Sequence, residues 1–198
     1  MIKLGTNSKI DKDVVLGYPL TEDSDVTIGN DCIIRSGTII YNDVVIGNKF
    51  ISGHNVLIRE RTRIGNLTLV GTSTIIDGNC DIGDGVKIQS GVYIPPHTQL
   101  CDNIFVGPRV TFTNDKYPPS DHSKLSGAFV LDNAIIGANS TILPGVVIHE
   151  GSFIAAGTVV SKDVPSYKMA IGSPMRITDL PEKMKKHDTD SKTKYKNL

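Results

Sequence analysis

The residues of this chain best suited to chemistry gather in two places. One is the polar run Thr113-Asn114-Asp115-Lys116-Tyr117-Pro118-Pro119-Ser120-Asp121-His122, which sets an amide, a carboxylate, a phenol and an imidazole close together in the chain. An amide oxygen there can accept a hydrogen bond from an amine and orient its lone pair; a carboxylate can hold an ammonium or take its proton. The other is Lys162-Asp163-Val164-Pro165-Ser166-Tyr167, followed by Ile171-Gly172-Ser173-Pro174-Met175-Arg176. Arg176 there offers a planar fork for a phosphate.

Whatever positions these groups is written in a six-residue period. Stepping from Ile28 through Ile34, Ile40, Ile46, Ser52 and Ile58 to Phe112 gives fourteen apolar residues out of fifteen, where 39% hydrophobic composition predicts about six. The series resumes at Ile136, Ile142, Ile148, Ile154 and Val160, and is foreshadowed at Leu4, Ile10 and Leu16. Two positions earlier stand small or β-branched residues such as Val26, Cys32, Thr38 and Cys80; one position later glycine is frequent, as at Gly29, Gly47, Gly65 and Gly83. Neither a helical period nor simple alternation produces this spacing. It predicts a solenoid with one short strand and one turn per hexapeptide, in which glycine or asparagine takes the strained turn. Three hexapeptides close one triangular coil, and coils stack at roughly 4.8 Å. The absence of Trp fits so narrow a shaft.

The pattern breaks twice, at Gly17 to Asp25 and at Thr113 to about Asp132, and the inward series restarts in phase after the second. A long polar excursion inside a regular solenoid points to function. Pro165 and Pro174 are expected to end the coils, and Pro181 to Lys186 to form a short helix covering the open edge. The domain reading is therefore 1–176 for the solenoid, with its loop at about 113–132, and 177–198 for a helix and basic tail. The formal charge is zero, 21 basic against 21 acidic residues, which argues against nucleic-acid binding. Three cysteines without a CxxC spacing, no signal-like apolar segment at Met1 and no membrane-length run predict a cytoplasmic protein with no membrane association.

Repeat units such as Thr-Ile-Ile-Asp-Gly-Asn and Val-Val-Ile-Gly-Asn-Lys resemble the bacterial transferase hexapeptide repeat. The resemblance implies an all-β fold, a left-handed parallel β-helix with one extruded loop and a short C-terminal helix. It also implies a homotrimer with active sites between subunits. The string from Lys162 to Arg176 resembles the terminal signature of the acyl-CoA-dependent branch. That implies acetyl-CoA as co-substrate, with Ala138, Ala155, Ala156 and Gly157 beside the thioester arm, Ser173, Pro174 and Arg176 toward its nucleotide end, and Lys162 as a further coenzyme contact. Lys87-Ile88-Gln89, Asn103 to Pro108 and Val110-Thr111-Phe112-Thr113-Asn114 look like a subgroup that N-acetylates amino sugars carried on UDP or dTDP. In that subgroup the stretch ending in Asn114 opens the active-site loop, although Ser90-Gly91 stands where relatives commonly have Asn-Asn.

The resemblance implies a catalytic role for Asn114, which orients the amine as it attacks the thioester, with Asp115 holding the amine or assisting its proton loss. Gln89, Ser90, Glu60, His54 and Tyr117 are the expected substrate contacts. O-acetylating relatives place a histidine base at this loop, because a hydroxyl must lose its proton as it attacks; Thr113-Asn114-Asp115 has none. The expected product belongs to lipopolysaccharide or polysaccharide assembly. Alternatives are an O-acetyltransferase of a sugar or small alcohol and a non-enzymatic scaffold. A zinc-dependent γ-type carbonic anhydrase needs histidines on adjacent coils, whereas His54, His97, His122 and His149 are far apart, so no metal is expected.

Overall fold

In the computed structural model, which describes residues 1–19 and 25–185, the chain is a left-handed parallel β-helix. Three sheets run the length of a triangular prism. The first face carries 8 strands, from Ile2–Leu4 to Val147–Ile148; the second carries 10, from Lys9–Ile10 to Arg176–Asp179; the third carries 8, from Val15–Tyr18 to Val159–Val160. Arg63 pairs with Asp81, Leu69 with Lys87 and Ile75 with Tyr93, each partner three hexapeptides further along the chain.

The six-residue series is the shaft. Every member from Ile28 to Phe112 is at most 4% exposed. Leu4 remains 48% exposed because the first coil has a neighbour on one side only. Ser52, the polar exception, accepts the Arg35 N–H at 2.9 Å and meets the Thr38 hydroxyl at 3.4 Å, so it ties two coils together. Cys32 and Cys80 are buried, and burial pushes the Cys80 thiol up to about 12.

The corners revise the expected role of glycine. From Asp31 to Arg109 every sixth residue has a left-handed φ, including Lys49, Arg61, Leu67 and His97 as well as Gly85 and Gly91. The glycine that follows each inward residue, two positions earlier, is not among these. A Cβ at Gly29 would lie 2.6 Å from the Gly47 carbonyl carbon, and one at Gly65 2.6 Å from that of Gly83. Those glycines are required by backbone passing over backbone between coils, not by the turn.

Both breaks open at the edge where the third face turns into the first. Ile2 pairs with Val26, one hexapeptide further on than a regular coil would bring it, so the first excursion inserts a single repeat unit; Leu20 to Ser24 within it lie outside the described residues. Thr111 pairs with Thr141, two hexapeptides further on than a regular coil, so the second excursion inserts two whole units. Strand Phe129–Val130 already belongs to the first face, with Val130 fully buried, so the loop closes at Ala128, sooner than the expected Asp132. Val130 falls on the same six-residue count as Ile136 and resumes the shaft before the run of isoleucines does.

The end of the solenoid also differs. Pro165 does not stop it: Val164 bridges to Ile148, and Lys168–Ile171 joins the second face beside Phe153–Ile154. Arg176–Asp179 then folds back antiparallel on that strand. This hairpin covers the edge of the second face, and the sheet extends past the expected boundary at 176. Helix Glu182–Lys185 is a single turn after Pro181, and the basic tail from Lys186 lies outside the described residues. No helix among the described residues is long and apolar enough to cross a membrane.

Candidate functional site

Two residues past each inward position the chain turns a corner, and the side chain found there decides what that edge does. On the edge between first and second faces it is Asn30, Asn48, Asn66, Asp84, Asp102 and Asp132. As far as Asp102, the N–H of each donates to the Oδ1 one coil on: Asn30 to Asn48 at 2.8 Å, Asn48 to Asn66 at 2.9 Å and Asn66 to Asp84 at 2.6 Å. This edge is a closed ladder of coil-to-coil bonds.

Between the second and third faces the same slot holds Ser36, His54, Thr72, Ser90, Pro108, Ala138 and Ala156. The His54 N–H still finds the Thr72 hydroxyl at 3.2 Å, and the His54 ring is tied through Nδ1 to Ser36 at 2.9 Å. At Ala138 and Ala156 the acceptor side chain has run out. Neither N–H has a partner among the described residues, and they stand one coil apart. Ala155 is engaged through its N–H to Ala170 at 2.9 Å, and Gly157 through its N–H to Ala138 at 2.8 Å. Gly172-Ser173-Pro174-Met175 turns the terminal hairpin over this same edge, pinned by the Gly172 N–H to the Thr158 hydroxyl at 3.1 Å. Arg176, exposed, opens the returning strand. Gln89 and the exposed Ser90 lie on this edge two coils before Ala138, with the Gln89 carbonyl accepting from the Thr74 hydroxyl at 3.0 Å.

Between the third and first faces stand Asn114, Asp115, Tyr117, Glu60 and Lys162. The Asn114 Nδ2 donates to the Pro96 carbonyl at 3.3 Å, and its own carbonyl accepts the Ser126 N–H at 2.8 Å, so Asn114 pins both feet of the loop. With Nδ2 engaged, Oδ1 remains an acceptor with no partner among the described residues. Asp115 is occupied by its own loop: it accepts the Tyr117 N–H at 3.1 Å and the Ser120 N–H at 2.8 Å. Its bond with Ser120 holds its pKa below the usual carboxylate value, which makes it a weak base. Tyr117 is 76% exposed at the outer loop. Glu60 is committed to Arg59 at 2.9 Å; Arg59 also pairs with Asp77 at 3.0 Å and lies 5.5 Å from the Tyr41 ring.

The expected residues thus divide between two edges. Gln89, Ser90, His54, Ala138, Ala155, Ala156, Gly157, Ser173, Pro174 and Arg176 share one; Asn114, Asp115, Tyr117, Glu60 and Lys162 share the other. Lys162 is therefore apart from the remaining coenzyme residues. Across the third face the two edges are separated by about four extended residues, roughly 13 Å at about 3.3 Å each. His149 stands at the edge between first and second faces, away from both sets. His97, a corner histidine to which the sequence assigned no site role, is exposed and directly follows Pro96 at the foot of the loop, and its Nδ1 lies 2.7 Å from Asn79 Nδ2. Counting back one full coil from Asp115 locates it. Among the described residues no group of histidine, cysteine and carboxylate side chains is arranged to hold a metal ion.

Residues 127–162 match the family described as bacterial transferase hexapeptide (six repeats), and residues 61–96 match the hexapeptide repeat of succinyl-transferase. A galactoside O-acetyltransferase of Lactococcus lactis is 34% identical over 125 residues, 56% of this chain and 58% of that protein. The bifunctional protein GlmU of a Thermotoga species is 34% identical over 97 residues, 48% of this chain and 20% of its own length. The chain spans about half the length of the first curated relatives it matches. In three dimensions it is similar to the UDP-N-acetylglucosamine acyltransferase from Campylobacter jejuni, with TM-score 0.55 and 19% identity over 87% of this chain and 75% of that one. The chain is a hexapeptide-repeat left-handed β-helix whose sequence kinship includes acetyltransferases.

Proposed function

We propose that the protein is a cytoplasmic, acetyl-CoA-dependent N-acetyltransferase. Its acceptor is the amino group of a nucleotide-linked amino sugar destined for cell-surface glycan, and it works as a homotrimer. The observation that carries this reading is Asn114: with Nδ2 spent on Pro96, it presents a lone acceptor, Oδ1, at the foot of the loop. A neutral amine needs such an acceptor to aim its lone pair and needs no base to become nucleophilic. The free N–H groups of Ala138 and Ala156 supply the complementary half, donors for the carbonyls of a coenzyme arm and for the oxyanion that forms at its thioester. Since one chain separates the halves by the width of its third face, the site is completed when one protomer's loop meets the next protomer's alanine edge. Nitrogen then attacks the thioester carbon, the C–N bond forms, the C–S bond breaks, and the proton shed by nitrogen balances the one that coenzyme A gains as a thiol. Holding the reactants together supplies most of the rate. Arg176, Ser173 and Pro174 lie where the coenzyme's nucleotide end would emerge. Asp115 serves to hold the loop.

O-acetylation is the second reading, favoured by the galactoside O-acetyltransferase relative. A thiol-release assay with acetyl-CoA across UDP- and dTDP-linked 3-amino and 4-amino sugars and their hydroxyl counterparts separates the two. Turnover restricted to amines is expected; turnover of the hydroxyl counterparts alone, or of nothing in the panel, overturns the proposal.

A further inference from the structure

His97 is absorbed by neither half of the site, yet its surroundings define its chemistry closely. Its Nδ1 lies 2.7 Å from Asn79 Nδ2, and a carboxamide nitrogen only donates. With Nδ2 as the donor, Nδ1 accepts as the lone-pair nitrogen, which puts the ring proton on Nε2. The clasp is reinforced through the backbone, where the His97 N–H donates to the Asn79 carbonyl at 3.0 Å and the Asn79 N–H to the Glu60 carbonyl at 2.8 Å. From the other side the coil at Gly127 closes on the same residue so tightly that a Cβ there would overlap the His97 carbonyl. The imidazole is exposed, and its Nε2 has no partner among the described residues. Asn114 bonds the Pro96 carbonyl, which belongs to the very peptide that begins His97. An acceptor, Asn114 Oδ1, and a donor, His97 Nε2–H, thus belong to side chains linked through one peptide at the foot of the loop.

We propose that His97 is a specificity residue that donates a hydrogen bond to an oxygen on the carbon next to the reacting amine, and that Asn79 bars it from acting as a base. An amino sugar with an amine and a hydroxyl on adjoining carbons presents a donor and an acceptor side by side, the complement of Asn114 and His97. The amine-acceptor assignment rests on the reading above; the tautomer does not. The inference also bears on reaction class, because a ring locked as a donor cannot take the proton of an attacking hydroxyl.

Two measurements test it on the full chain. Long-range ¹⁵N–¹H correlation spectra should show His97 protonated at Nε2, and Asn79→Asp, which replaces the donor by an acceptor of the same shape, should move the proton to Nδ1. An Nδ1–H tautomer in the unmodified protein overturns the proposal whatever the enzyme's activity. Kinetically, the probe is the 3-amino sugar of the panel with the highest turnover, paired with its 4-deoxy counterpart. His97→Ala should raise KM about tenfold for the 4-hydroxy compound, the worth of one hydrogen bond. It should leave KM for the 4-deoxy compound unchanged and kcat within about twofold, and His97→Gln, which keeps an N–H, should recover most of the loss. Equal losses on both sugars, or a kcat collapse with KM unchanged, overturn the proposal. If the unmodified protein acetylates nothing in the panel, the N-acetyltransferase reading falls, and the spectra still judge the tautomer.

Discussion

The edge between the first and second faces and the edge between the third and first are built from the same repeat slot but have opposite character. Along the former, Asn48, Asn66, Asp84 and Asp102 each accept the N–H of the preceding coil, and the ladder runs unbroken from Asn30 to Asp132. Along the latter the slot reads Asn42, Glu60, Gly78, Pro96, Asn114, and two excursions leave the prism there. On the laddered edge the side-chain Oδ1 atoms are taken up by coil stacking. On the interrupted edge proline and glycine break the ladder, and Asn114 Oδ1 and His97 Nε2 have no partner among the described residues. Chemistry becomes possible where the repeat stops satisfying itself.

Substitutions on the two edges should therefore fail in different assays. Asn114→Ala should lower turnover about a hundredfold, the scale of a lost positioning contact, while the fold and acetyl-CoA binding persist; kcat with the working amino sugar checks it, and unchanged turnover would remove Asn114 from the mechanism. Asn66→Ala should leave kcat alone and cost about 1 kcal/mol of stability by orphaning the Asn48 N–H; denaturant unfolding measures this, and a kinetic defect without destabilisation would erase the contrast between edges. The smallest effect concerns acid. Asp115 has a folded pKa below its unfolded value of about 3.9, so its hold on the loop is complete above that value and lost only as pH falls through the depressed one. Proteolysis within Lys116–Ser120 should proceed at the same rate at pH 7 and pH 5; faster cutting at pH 5 would show that another group holds the loop.

Much of this was legible in the chain itself. The count from Ile28 to Phe112 specified the shaft, because an aliphatic residue every sixth position can be buried at one place per strand only in a triangular coil. The polar stretch after Phe112 specified an excursion in register. The role of glycine was not legible: Gly29 and Gly65 looked like turn residues, but their need arises from the next coil, three hexapeptides away, which local sequence does not display. The hairpin Lys168–Ile171 to Arg176–Asp179 was hidden behind two prolines whose usual effect is to end strands.

By itself the sequence determined the solenoid, its period and the segments that leave it, since these follow from which residues are apolar and how far apart they stand. Only the tertiary structure decided which edge each candidate occupies and which atoms remain free. It assigned Asp115 and Glu60 to internal bonds, set Lys162 apart from Arg176, and joined Asn79 to His97. The physical reason is that a side chain's availability depends on what stacks above and below it, and in a solenoid those neighbours are always a full coil away.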